Sequence, residues 1–472
     1  MTIDRHQTLR QTTVMKTFLI APMTLVAVMF FSVSVAAAAE RTPNVIVVLV
    51  DDFGYECVGA NGGTSYRTPN LDRLAAEGVL FTHCYAQPNC TPTRVQLLSG
   101  MSNVRNYVQF GRMEPSVVTY GNFFRDTGYA TCVAGKWQLG NDDPEMPKHF
   151  GFNRHCLWAY KSRGNRYADP TLTVDEKIKN FPGKYGPDIC QEFVLDFIRE
   201  HKNEPFLVHY PMILTHGHYE ATPDSKDWGG EHQKGNEASH RYFTDMVNYT
   251  DKLIGGLTAE LEALGLRENT LILYTGDNGT GRGTVSQLEG GGEQAGEKGS
   301  TTRGGMHVPL IASQPGRIKS GVVCSDLLDM TDVLPTICQA AGVAVPKNLP
   351  LDGHGFLPQL RGETGNPRSW IYSYWVPLKM NADHRVGKRG AVEQAFDHRF
   401  KLYSTGAFFD LNDDPEEKKP WQVADLEGDA AAAAGKLQAA LDQYAAARPA
   451  ELSDPKTPKS KEDRKAKKKA KK

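Results

Sequence analysis

The chain is 472 residues long, with 40% hydrophobic residues, 23% charged residues and six tryptophans, which excludes a peptide, a lone small module and a wholly disordered chain. The net charge of −1 is unevenly spread: residues 456–472 carry ten Lys/Arg against two acids, residues 1–39 are weakly basic, and the body between them is acidic. An acidic body argues against nucleic acid as a partner, because neutralising phosphates needs a basic face.

Lys16 precedes an apolar stretch over residues 18–35 that ends in four alanines just before Glu40. Residues 1–39 therefore read as an export signal with an A-x-A cleavage site, more ordinary still if the start is Met15. The alternative is an uncleaved anchor, since the stretch is nearly long enough to span a bilayer. The expectation is an exported protein, periplasmic or extracellular.

Asn44–Val50 (NVIVVLV) is a continuous β-branched run, as expected for a strand covered on both faces of a parallel sheet. It stops at Asp51 and Asp52. Thr68 and Pro69 then open a helix, Thr68 as N-cap, with Leu71, Leu74 and Ala75 on one face. Residues 89–100 (NCTPTRVQLLSG) read as a loop entering a helix, leaving Cys90 at a helix N-terminus that favours anions; a buried thiol is the bland reading. Strands follow over residues 129–133 and 205–210, a long helix over 242–264, and a second buried strand over 271–274 that ends in Gly276, Asp277 and Asn278. From about residue 368 the pattern becomes short and aromatic, with strands over 370–375, 391–395, 400–403 and 408–411, then an Ala-rich helix over 430–447.

This alternation predicts an α/β fold: a large, mostly parallel or mixed sheet sandwiched by helices, with a smaller C-terminal α+β subdomain built on an antiparallel sheet. The predicted organisation is a signal peptide at 1–39, a catalytic domain at 40–360, the subdomain at 361–450 and a basic tail at 451–472 that is solvated or contacts an anionic polysaccharide or membrane surface. In such sheets ligands bind at the carboxyl ends of the strands. Asp51, Asp52, Asp277 and Asn278, each just past a buried strand, form an all-oxygen set suited to a hard cation, Ca²⁺ or alternatively Mg²⁺, rather than zinc or copper. Residues 276–305, rich in Gly, Glu, Ser and Thr, read as a loop lining that site. Eight scattered cysteines with no C-x-x-C spacing do not form a disulfide framework, and Cys84 and Cys132 sit in strand-like segments as core thiols.

The segments C-T-P-T-R and L-L-S-G within 90–100 resemble the signature of the type I sulfatases, a formylglycine-dependent family with an alkaline-phosphatase-like fold. The resemblance covers residues 44 to about 415. It includes T-P-N-L-D-R-L-A-A-E-G (68–78), A-G-K-W-Q-L-G (134–140), G-D-N-G (276–279), E-K-G-S-T-T-R-G-G-M-H-V-P (297–309) and D-L-N-D-D-P-E-E (410–417). It implies an arylsulfatase-like sulfuric ester hydrolase in which Cys90 is oxidised to Cα-formylglycine by a formylglycine-generating enzyme. It implies Asp51, Asp52, Asp277 and Asn278 as calcium ligands together with an oxygen of residue 90. Arg94 would hold the hydrate, Lys136 and Lys298 would contact the sulfate and the departing oxygen, and His216 would assist the leaving group if its pKa sits near working pH, with His209 and His218 as close competitors. In that chemistry one hydrate hydroxyl attacks sulfur, and deprotonation of the other expels sulfate. Two positions depart from the pattern. Gln138 stands where the family usually has His, and an amide can orient the hydrate but cannot accept its proton; Thr93 replaces Ser or Ala. The expected substrate is a sulfated carbohydrate or another sulfate ester. The rival readings are a phosphate or phosphonate ester hydrolase of the same superfamily and an inactive sulfated-glycan-binding relative.

Overall fold

Every residue of strand β1 (Asn44–Val50) is buried, and its side chains alternate between two cores. Val45, Val47 and Leu49 join one apolar cluster, while Ile46, Val48 and Val50 join another on the opposite face. Such a strand needs helices on both sides, which is why the run shows no polar alternation. The computed structural model describes residues 41–140, 145–230, 240–377 and 390–452; the stretch read as export signal, and all of the basic tail beyond residue 452, lie outside them. The chain divides between Arg41 and Thr42 into two units, and all elements below belong to the second.

The large sheet continues with β2 (Val79–Tyr85), β3 (Ala130–Lys136), β4 (Arg154–Trp158), β5 (Thr171–Val174), β6 (Lys177–Asn180), β7 (Phe206–Pro211) and β8 (Thr270–Gly276). After a small hairpin of β9 (Val285–Gln287) and β10 (Glu293–Ala295), β11 (His307–Ser313) and β12 (Val322–Asp329) complete it. The ten strands run in the order β12-β2-β11-β8-β1-β7-β3-β4-β5-β6. The centre, β8-β1-β7-β3-β4, is parallel throughout; β11 is antiparallel to both neighbours, and β5 and β6 close the far edge antiparallel. Helices Cys90–Ser99 and Val333–Ala341 cover one face; Pro69–Ala76, Gly186–Glu200 and Arg241–Ala263 cover the other. The predicted mixed α/β sandwich is observed. Among the described residues no helix is long and apolar enough to cross a membrane.

Downstream, β13 (Ile371–Trp375), β14 (Val392–Phe396), β15 (Phe400–Tyr403) and β16 (Phe408–Asp410) form the expected antiparallel sheet. Helix Gly428–Tyr444 lays Leu437, Ala440 and Leu441 against Tyr372, Tyr374 and Leu402. One local expectation fails. Thr68 sits at the N-cap position of Pro69–Ala76 but makes no side-chain cap; its Oγ1 accepts from Gly59 N at 2.8 Å and donates to Asp72 Oδ1 at 3.2 Å, so the hydroxyl fastens the preceding turn instead. All eight cysteines are free thiols, with Cys84 and Cys132 buried in β2 and β3.

Candidate active site

β1 and β8 are in parallel register with Val50 opposite Gly276, so the next residues, Asp51 and Asp277, must emerge side by side. Asp277 N donates to Val50 O at 2.9 Å, and Asp52 N donates to Asp277 Oδ1 at 3.0 Å. The last bond is made possible by a left-handed backbone at Asp52 (φ 59°), a conformation Asp tolerates better than most residues. Two strands away β3 ends in Lys136, whose Nζ reaches Asp51 Oδ2 at 2.6 Å. The close approach of β3 to β7 depends on Gly135, at φ 124°, where a Cβ would stand 1.9 Å from Pro211 O.

Helix Cys90–Ser99 begins at Cys90 itself, and all ten of its residues are buried. Arg94, one turn in, is 1% exposed. It donates from Nη1 to Lys136 O at 2.8 Å and from Nη2 to Asp277 Oδ2 at 2.9 Å, leaving Nε without a partner. Cys90 Sγ donates to Gln138 Oε1 at 3.1 Å. Lys298 Nζ pairs with Asp52 Oδ1, which also accepts from Asn278 Nδ2 at 2.9 Å. The segment 276–305 is thus folded against the cluster rather than acting as a linker.

Three carboxylates and three cations share this buried volume. Burial would raise Asp51 and Asp52, yet the adjacent lysines, His216 and, at Asp51, Arg94 hold both below the usual carboxylate range. Burial and then Asp51 push Asp277 up to about 7, against the opposing pull of Arg94 and Lys136. Burial would lower Lys298, but Asp52 keeps its ammonium protonated. Burial pushes the Cys90 thiol up.

The donor set fits a hard divalent cation. Asp51 Oδ1 and Asn278 Oδ1 are buried oxygens with no hydrogen-bond partner, and buried acceptors are seldom left so. Asp51, Cys90 and Asp277 offer ligand atoms within 4.8 Å of one another, as do Asp51, Asp52 and His216.

The three rival histidines separate cleanly. His209 is in the core, bonded to Tyr120 Oη at 2.8 Å, and His218 is exposed. His216 faces the carboxylates, its backbone held by Tyr167 Oη at 2.6 Å and by Arg166. Burial, then Lys298 and Lys136, push its imidazole down to about 3. It is neutral at working pH, with Nδ1 donating to Gly217 O and the Nε2 lone pair left over.

The smaller sheet braces two of the segments that carry these groups, a connection invisible in the sequence. Ser373 Oγ donates to Gln87 Oε1 at 2.9 Å and Trp375 Nε1 to Asn89 Oδ1 at 3.0 Å, next to Cys90. Lys401, 3% exposed, donates to Thr301 O at 2.8 Å and pairs with Glu417 at 2.5 Å, while Tyr403 Oη bridges Thr301 and Glu417. The loop bearing Lys298 is thereby tied down by a buried ion pair.

Comparison with known proteins places this geometry. The family profile described as Sulfatase matches residues 43–343, and the profile described as N-sulphoglucosamine sulphohydrolase, C-terminal, matches residues 298–444. The chain is 31% identical to arylsulfatase A of Bos taurus over 373 residues, 71% of each chain. It is 29% identical to the N-acetylgalactosamine-6-sulfatase of Homo sapiens over 452 residues, 83% of this chain and 84% of that one. The crystal structure of Ps i-CgsB in complex with k-i-k-neocarrahexaose shares its fold, with a TM-score of 0.69 at 22% identity over 87% of this chain and 94% of that one.

Proposed function

This chain belongs to the sulfatase family and is a sulfuric ester hydrolase, and from that premise we propose that it releases sulfate from a sulfated carbohydrate, using a Cα-formylglycine at position 90 and a calcium ion. The observation that carries the reading is the pair of unsatisfied buried oxygens, Asp51 Oδ1 and Asn278 Oδ1, in one cluster with the residue-90 side chain. The carbohydrate comes from the relatives: one is a sulfatase of N-acetylgalactosamine, and a structural neighbour holds a neocarrahexaose.

Asp51, Asp52, Asp277 and Asn278 would hold the ion, which offsets the negative charge of the ester oxygens. The oxidised, hydrated residue 90 would supply a hydroxyl nucleophile for sulfur and a second hydroxyl whose proton must later leave. Arg94, with Nε unspent, orients that residue. Lys136 and Lys298 would face the sulfate oxygens in a largely buried site, where fixed charges act strongly. Lys298, held protonated, stabilises the departing oxygen. His216, neutral, accepts a hydrogen bond through Nε2. Gln138 orients residue 90 through Oε1 but takes no proton.

Mass spectrometry of the peptide spanning residues 89–94 tests the reading, together with release of sulfate from sulfated sugars and hydrolysis of an aryl sulfate against an aryl phosphate. The expected result is loss of the thiol, appearance of an aldehyde, and faster turnover of sulfate. An intact cysteine in protein from the native host overturns the formylglycine. Preference for phosphate points to a phosphate or phosphonate ester hydrolase, and binding without release to an inactive relative. We also propose export, with oxidation by a formylglycine-generating enzyme on the way; N-terminal sequencing of the mature protein checks cleavage before Glu40.

A further inference from the structure

Beyond the cluster of ligands and cations, the carboxyl edge of the sheet carries a second concavity. β3 and β4 are parallel neighbours with Lys136 opposite Trp158, and Trp137 N continues the ladder to Trp158 O at 2.9 Å. Residues 138–140 and 159–163 therefore leave the sheet side by side. Between them lies a pocket of about 190 Å³ lined by Gly111, Gln138, Gly140, Ala159, Lys161, Ser162 and Arg163. Gln138 is shared: its Oε1 accepts from Cys90 Sγ, so the pocket opens directly beside the reacting side chain.

The lining is cationic and unfinished. Arg163 is exposed and, among the described residues, meets no carboxylate. Lys161 pairs with Glu176, and its ammonium lies 5.3 Å from the Tyr160 ring centroid. Ser162 Oγ is buried with no hydrogen-bond partner. The backbone is held in the left-handed region at Gln138 (φ 53°), Ala159 (φ 60°) and Lys161 (φ 56°). Three non-glycine residues in that costly conformation around one small cavity indicate a surface kept for binding rather than for packing. Farther along the same loop, Arg166 and Tyr167 fasten His216, so the segment from 159 to 167 borders the centre on two sides.

We propose that the pocket of Lys161, Ser162 and Arg163 binds a second anionic group of the substrate, a carboxylate or another sulfate placed beside the ester that is cleaved. The volume suits such a group. The guanidinium offers paired donors matched to planar or tetrahedral oxyanions, and the Ser162 hydroxyl completes the contact. This rests on the sulfatase reading of the centre, and it makes the enzyme selective for polyanionic saccharides.

The test separates binding from turnover. Affinities are measured by titration calorimetry on the full chain carrying Cys90→Ala, with three probes: a monosulfated disaccharide, its disulfated counterpart and its uronate-containing counterpart. The expected result is about tenfold tighter binding of at least one dianionic probe. That advantage disappears in Arg163→Ala and in Lys161→Met. The probe that shows it identifies the second group as sulfate or carboxylate. Equal affinity for all three probes, or an advantage that survives in the Arg163→Ala, Lys161→Met double variant, overturns the proposal. If the preference is present while the mature chain hydrolyses none of the probes, the proposed release of sulfate from such saccharides fails and the pocket stands.

Discussion

Replacing Glu56 by Gln isolates one titration that the fold makes costly. Glu56 is 4% exposed and accepts from Thr280 Oγ1 at 2.5 Å, linking the turn after Asp52 to the one after Asn278. Burial pushes its carboxyl up from 4.5 to about 7, against the weaker pull of the Thr280 hydrogen bond. Between those values the folded chain binds more protons than the unfolded one, so stability falls as pH rises, and the whole cost is present above pH 7. At about 1.4 kcal/mol per pH unit the ceiling is about 3 kcal/mol, which for a fold of this length is about 3 °C in Tm. Thermal unfolding of the parent and Glu56→Gln at pH 5 and pH 8 gives four values. The drop from pH 5 to pH 8 should be about 3 °C smaller in the variant, whatever the substitution does to absolute stability. Equal drops would show that Glu56 is ionised in the fold at neutral pH and that burial does not govern it.

Asp51→Asn should weaken Ca²⁺ binding by about a hundredfold or more, since losing even an outer hydrogen-bond partner of a metal site costs 10- to 100-fold; calorimetric titration of the full chain with Ca²⁺ measures it, and unchanged affinity would remove Asp51 from the site. Gln138→His restores a proton acceptor and should raise steady-state hydrolysis of an aryl sulfate by about tenfold or more, while shrinking any initial burst of phenol seen by stopped flow. Lys401→Met leaves Glu417 buried and unpaired, a loss of about 3 kcal/mol in denaturant unfolding, and should also lower kcat by loosening the loop of Lys298.

The parts of the molecule readable in sequence are those whose information is local. β1 and β8 announce themselves as unbroken apolar runs, and each stops at an aspartate, so the meeting of Asp51 with Asp277 follows once the strands are parallel neighbours. Cys90 at the head of a helix was likewise legible from the residues that follow it. The Thr68 hydroxyl was misassigned because a cap and a turn bond use the same residue type, and only the placement of Gly59 decides between them. The bracing of Gln87 and Asn89 by Ser373 and Trp375 joins residues 286 positions apart, and neither partner's own neighbourhood marks it. The pocket at Lys161–Arg163 is equally silent: its lining comes from three loops whose short polar segments read as ordinary connections. His216 came from the sulfatase resemblance, with His209 and His218 as competitors, and its low basicity depends on burial and then on Lys298 and Lys136, which only the assembled site brings together.

Cys90 is 1% exposed and heads a helix with no exposed residue, and the segment just before it is tied to β13 through Gln87 and Asn89. Where its thiol is oxidised, no catalyst of protein size could grip it in the finished molecule without local unfolding. On the proposed formylglycine reading, the conversion would therefore be a matter of timing in biosynthesis: it would belong to the interval when residue 90 has been made but Ser373 and Trp375, far downstream, have not yet fastened Gln87 and Asn89 beside it. A host that folds the chain faster than it processes this segment would accumulate well-structured, inert protein.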